Sequence, residues 1–127
     1  MRLPLVYLAC PYSDPDPMVR ERRWVMATGA AASLMKSGER IVYSPISLTH
    51  FFPDLGLPTT WDFWRRPSLE MLERCDRLIV LCLSGWKESI GVQAEIAHAQ
   101  DLRIPVYLLP SWTDLEPVPY HAPPLAR

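Results

Sequence analysis

The chain carries no excess of charge of either sign. Its 127 residues hold 13 Lys and Arg against 14 Asp and Glu, a formal net charge of −1. That balance marks no surface for nucleic acid polymers or anionic lipid. The one local basic run, Arg20, Arg22 and Arg23, reads as the solvated face of a helix. Cysteine is scarce as well. Cys10, Cys75 and Cys82 make an odd set without CxxC spacing, which reads as reduced, buried thiols in a reducing compartment. Cys10 stands apart because it ends the first apolar run. No apolar stretch approaches membrane-spanning length. Met1 to Cys10 is too short for a signal peptide and is broken by Pro11. The expected location is therefore cytoplasmic, with no membrane partner.

Several signatures are missing, and each absence removes a class of chemistry. GxxxxGK[ST] does not occur, which excludes a P-loop nucleotidase. GxGxxG does not follow the first strand, so an ordinary dinucleotide site is not expected. The GxSxG elbow of hydrolases is lacking too. His50, His98 and His121 share no ligand spacing with Cys, Asp or Glu, and no metal is expected.

What remains is a pattern of short apolar runs and helical stretches. A chain of this length fits one domain and can bury a core without disulfides or metals. Leu3 to Cys10 reads as a strand buried on both faces. Met18 to about Lys36 reads as a helix, preceded by the cap-rich turn Ser13-Asp14-Pro15-Asp16-Pro17 and stopped by Gly38. Arg40 to Tyr43, Arg77 to Leu83 and Ile104 to Leu109 read as further strands; Ser68 to Cys75 and Ile90 to about Leu102 read as helices. Ile46 to Arg66 is dense in aromatics, Pro and Gly and reads as a structured loop, either a lid or binding loop or an apolar contact between copies.

Strand–helix alternation implies a three-layer α/β domain of Rossmann or flavodoxin-like type. Its sheet is expected to be parallel, with four to five strands in the order 2-1-3-4. The domain is expected over residues 1–110, and 111–127 reads as a proline-rich tail that wraps the surface or is disordered. In such a sheet ligands bind at the carboxyl ends of strands one and three. The loops meeting there are Ala9 to Ser13 and Ser84 to Ser89.

The stretch from Gly85 to Ala99 carries the most chemistry. Ser89 stands at a helix N-cap position, and Gly91 leaves the first turn without a side chain. Free amides and the helix dipole there favour an anion. Glu95 follows on the face shared with Gly91 and His98. From Ser89 to Glu95 the helix advances about 9 Å, enough to separate an anion-binding end from a carboxylate acting across a sugar. A purely structural account also fits: Ser as cap, Gly for close packing, Glu as a solvated helix residue.

Tyr7-Leu8-Ala9-Cys10-Pro11-Tyr12-Ser13, Asp76 to Leu81, and Ser89-x-Gly91-Val92-x-x-Glu95-x-x-x-Ala99 together resemble the nucleoside 2-deoxyribosyltransferase superfamily. Within it the likeness is closest to a group of small bacterial domains and to the nucleoside 5′-monophosphate N-glycosidases. It runs from Leu3 to about Leu109. The resemblance implies that Glu95 is a nucleophile attacking the anomeric carbon and that Tyr7 orients it. It also implies that Ser89, where nucleoside-using members carry Asp, helps bind a 5′-phosphate. An Asp would repel a phosphate dianion, whereas a hydroxyl on a helix N-terminus binds one. One position departs from the pattern. The acidic residue expected against the sugar falls at about Ser68, and Glu70 and Asp62 are out of register.

The expectation is therefore cleavage of an N-glycosidic bond, or base exchange, on a nucleoside or its 5′-monophosphate, with no cofactor. Glu95 and Tyr7 form the catalytic pair. Cys10, Pro11, Tyr12, Ser13, Ser89, Gly91 and Trp86 line the substrate, with Ser13 or Arg20 near its 5′ end. Tyr12, Trp61, Trp64 and Trp86 are candidates to stack on the base. A homodimer or higher homo-oligomer is expected. The alternatives are a nucleotide-binding sensor without turnover and a flavodoxin-like electron carrier.

Overall fold

Leu5–Ala9 is apolar at every position and forms β1, the inner strand on which the rest of the sheet is laid. A computed structural model describes residues 2–113 and 116–121. β2 (Ile41–Tyr43), β3 (Arg77–Leu81), β4 (Val106–Leu109) and β5 (Val118–Pro119) complete a five-stranded sheet in the order β2-β1-β3-β4-β5. The pairs β1–β2, β1–β3 and β3–β4 are parallel, as expected. The β4–β5 pair is antiparallel, so the sheet is mixed rather than wholly parallel.

β5 comes from the segment expected to be tail. Tyr107 pairs with Pro119 and Leu108 with Val118, and the Tyr120 amide donates to the Val106 carbonyl at 2.9 Å. Proline is tolerated there because an edge strand needs no ladder donor on its outer side. The remainder of the expected tail, residues 114, 115 and 122–127, lies outside the described residues.

Side-chain alternation along β1 builds two cores. Val6, Leu8 and Cys10 pack with Ile79, Leu81, Leu109 and the buried Ala27, Ala30 and Leu34 of α1 (Pro17–Met35). Tyr7 and Ala9 point the other way, into a cluster with Leu78, Val80 and Val106. That face is covered by α3 (Trp61–Glu73), through Leu72, and by α4 (Ile90–Asp101), through Val92, Ile96 and Ala99. Helices thus cover both faces, and among the described residues none is long and apolar enough to cross a membrane.

Local chemistry explains the helix ends. Asp16 caps α1 by accepting from the Met18 amide at 2.9 Å, with Pro17 in the first turn, where a missing amide costs nothing. The middle segment is not a loop. It holds the short helix α2 (Pro45–Thr49), a 3₁₀ turn at Phe52–Leu55 and the first turns of α3, which starts seven residues before the expected Ser68. Pro67 hid that start: a proline usually ends a helix, but here it sits inside α3.

Leu78 is fully buried between β1 and β4. Leu78→Ala should cost about 2–5 kcal/mol, seen in a urea melt as a lower midpoint with an unchanged slope.

Candidate active site

Two alternations place the site. Tyr7 is on the β1 face that looks toward α3 and α4. On α4, the buried positions Val92, Glu95, Ile96 and Ala99 form one stripe at helical spacing. Glu95 therefore occupies a place an aliphatic residue would normally fill, and only 6% of it is exposed. Ser89 caps α4 as expected, its Oγ accepting from the Val92 amide at 3.2 Å, which leaves the hydroxyl proton free to donate.

The Tyr7 hydroxyl is the counterpart of Glu95. It lies within interaction range of the Glu95 carboxyl and the Ser68 hydroxyl. Yet it makes a hydrogen bond of ordinary length and angle to neither, although it is wholly buried. Tyr43 walls the ring at a centroid distance of 5.6 Å. A buried hydroxyl without a partner costs free energy, and such a group persists where a ligand or a reacting group supplies the missing bond.

Burial lifts the Glu95 carboxyl from the usual 4.5 to about 7, and the Tyr7 hydroxyl pulls weakly the other way. Tyr7 itself is held well above 10, first by burial and then by the charge of Glu95. Below pH 4.5 Glu95 is protonated in folded and unfolded chains alike. Between 4.5 and about 7 the unfolded chain ionises first, so stability is lost as pH rises. Above that range the loss levels off at roughly 3 kcal/mol.

The other expected site residues are distributed unevenly. Pro11 is buried beneath the β1–α1 loop. Tyr12 is half-buried, its hydroxyl bonded to His50 Nδ1 at 2.6 Å, and His50 in turn stacks on Trp24 at 4.5 Å. Ser13 is exposed. Cys10 is a correction: its thiol packs in the α1 core, on the side of the sheet opposite Tyr7. Burial holds that thiol up at about 12, with the charges of Arg23 and Glu95 as smaller, opposing influences. Trp86 is partly exposed; its ring packs edge-on to Tyr120 at 6.1 Å, with the Lys87 ammonium 5.7 Å over it.

Gly91 serves close packing. A Cβ there would lie 3.4 Å from a ring carbon of Trp61. Trp61 thus lies on the first turn of α4, and Trp64 turns away to donate to the Pro58 carbonyl at 2.8 Å. Asp62 and Glu70 do not join the pair. With Arg65, Arg66, Leu69, Glu73 and His98 they line an outer groove of about 310 Å³, where His98 Nε2 meets Glu73 at 2.9 Å. A second groove, of about 410 Å³, lies by Arg103 and Tyr120. Neither includes Tyr7 or Glu95. Among the described residues no three His, Cys, Asp or Glu converge as metal ligands.

Sequence reasoning read the Arg20–Arg23 run as a solvated face, offered Arg20 to the 5′ end and passed over Arg23; both are partly buried. Arg20 donates to the Asp14 carbonyl, and Arg23 to the carbonyls of Tyr12, Ser13 and Ser84 at 3.2, 3.1 and 3.0 Å. Their i,i+3 spacing just inside α1 was the available signal. Both therefore reach the same loop.

These features define a two-faced α/β domain with a buried acid–tyrosine pair at the switch point of its sheet. The family described as a domain of unknown function (DUF1937) matches residues 4–111, and the chain belongs to it. No curated protein matches the chain in sequence.

Two substitutions test the pair. Glu95→Gln should raise stability at pH 8 by up to about 3 kcal/mol and leave it near wild type at pH 4. Urea melts at both values check this, and a gain independent of pH would contradict it. Tyr7→Phe at pH 5 should leave the melting point unchanged or higher, whereas a loss of about 1–3 kcal/mol would mean that the hydroxyl is structurally bonded.

Proposed function

We propose that the protein cleaves the N-glycosidic bond of a nucleoside 5′-monophosphate or nucleoside, with Glu95 as nucleophile. The observation that carries this reading is a carboxyl buried to 6% exposure beside an unpartnered, fully buried tyrosine hydroxyl. They sit at the switch point of a sheet in the flavodoxin-like order 2-1-3-4. The resemblance to the nucleoside 2-deoxyribosyltransferase superfamily supports the same assignment, with Tyr7 orienting the carboxylate and Ser89 donating to the 5′ end.

In the first step a Glu95 oxygen bonds to C1′ as the C1′–N bond breaks, through an oxocarbenium-like transition state. The base leaves with the bonding electrons and takes a proton from solvent. Water then attacks C1′, loses a proton, and releases the sugar and the carboxylate. If the nitrogen of a second base attacks instead, the product is an exchanged nucleoside. The desolvated site strengthens the attraction between carboxylate and developing cation. With Glu95 so little exposed, substrate entry requires the residues packed around it to move.

A sensor without turnover is the second reading, and Ser68 favours it, because a neutral hydroxyl faces Tyr7 where relatives place an acid. The protein is also proposed to act in the cytoplasm as a homo-oligomer. The exposed Leu48, Phe51, Leu55 and Phe63 of the middle segment supply apolar surface for pairing.

Incubation with a panel of ribo- and deoxyribonucleosides and their 5′-monophosphates should release free base from wild type but not from Glu95→Ala. Nucleotide binding without base release would leave only the sensor. The rate should rise with pH through about 7, because the nucleophile must be ionised; a falling limb there would make Glu95 an acid instead. Ser89→Asp should weaken 5′-monophosphate use more than nucleoside use, and equal effects would remove the phosphate assignment.

A further inference from the structure

We propose that Arg23 is a positioning residue that sets the width of the candidate crevice by stapling its two bordering loops together. The first loop follows β1 and therefore continues from the strand that carries Tyr7. The second follows β3 and runs into the Ser89 cap of α4, the helix that carries Glu95. Arg23, on α1, reaches both. Nη1 donates to the Tyr12 and Ser13 carbonyls at 3.2 and 3.1 Å, and Nη2 to the Ser84 carbonyl at 3.0 Å. The bond to Ser84 closes a separation of 61 residues.

Two further observations single out this guanidinium. First, it makes no ion pair within 4.0 Å among the described residues, so its donors go to loop carbonyls that the sheet ladder leaves without partners. Second, the loop is shaped to admit it. Gly85 adopts φ +93°, and a Cβ there would stand 3.1 Å from Nη2. Any other residue would be strained by the backbone conformation and would press on the guanidinium. A lysine could not replace the staple, because one ammonium lacks the planar fork that serves three carbonyls on two segments. Arg20, one turn earlier, holds only the first loop, through the Asp14 carbonyl.

This assignment deepens the glycosidase reading and rests on it only for its kinetic arm. Hydrogen exchange of the full chain, followed by mass spectrometry, should show Arg23→Lys loosening two segments together, residues 12–14 and 84–89. Exchange there should be about tenfold faster, with the global unfolding midpoint and the protection of β1 and β3 preserved. Gly85→Ala, which leaves Arg23 in place, should loosen the same two segments. With a nucleoside 5′-monophosphate that wild type cleaves, Arg23→Lys should raise KM about tenfold and change kcat much less. Unchanged protection of both loops in both variants, or loosening spread evenly over the sheet, would overturn the staple. Absence of base release from wild type would count against the glycosidase alone, because the exchange arm still decides the role of Arg23.

Discussion

The free energy of a desolvated carboxyl governs this molecule. Glu95 replaces an aliphatic residue in the buried stripe of α4, and the burial that raises its pKa is a cost the surrounding apolar packing must offset. The offset comes from two separate cores, one on each face of the sheet, which pack β1 and β3 between them. The β1–β3 pairing and the core around its ring place Tyr7 beside the acid although its own hydroxyl gains no bond. A group placed against stability in this way is characteristic of functional sites.

α3 has two tasks in this arrangement. Its carboxyl half anchors in the core through Leu72 and brings Ser68 to Tyr7, while Trp61 at its amino end lies on Gly91. Pro67 separates the halves and removes one rung of the helix ladder between them. The amino half, which packs Trp61 on α4, is thus joined to the half that supports the sheet by one hydrogen bond fewer.

Much of this was legible in the residues. The four parallel strands and their order followed from apolar runs alternating with helical stretches, because strands buried on both faces leave an unbroken hydrophobic signature. Ser89 was legible from capping, whereas helical spacing put Glu95 on a face with His98, and its burial among Val92, Ile96 and Ala99 emerges only in the fold. Cys10 was placed in the crevice, although strand parity opposed it: Tyr7 and Cys10 are three residues apart and so face opposite sides. α3 was shortened because propensity alone cannot show that tertiary packing will carry a helix through Pro67. β5 was hidden because a two-residue antiparallel edge has no pattern of its own and exists only through its partner. Arg23 escaped because a charged residue on a helix is ordinarily solvated. Only the fold reveals that carbonyls from two distant loops converge on it.

β5 also decides how the sheet meets other molecules. By covering β4 it removes one of the two margins at which a foreign strand could add, and it presents Pro119, flanked by Pro117 just outside the strand, as the new border. Prolines have no amide to offer an incoming chain. At the opposite margin β2 is only three residues long. Both margins of the sheet therefore offer an incoming strand few backbone groups to pair with, β5 through its prolines and β2 through its brevity.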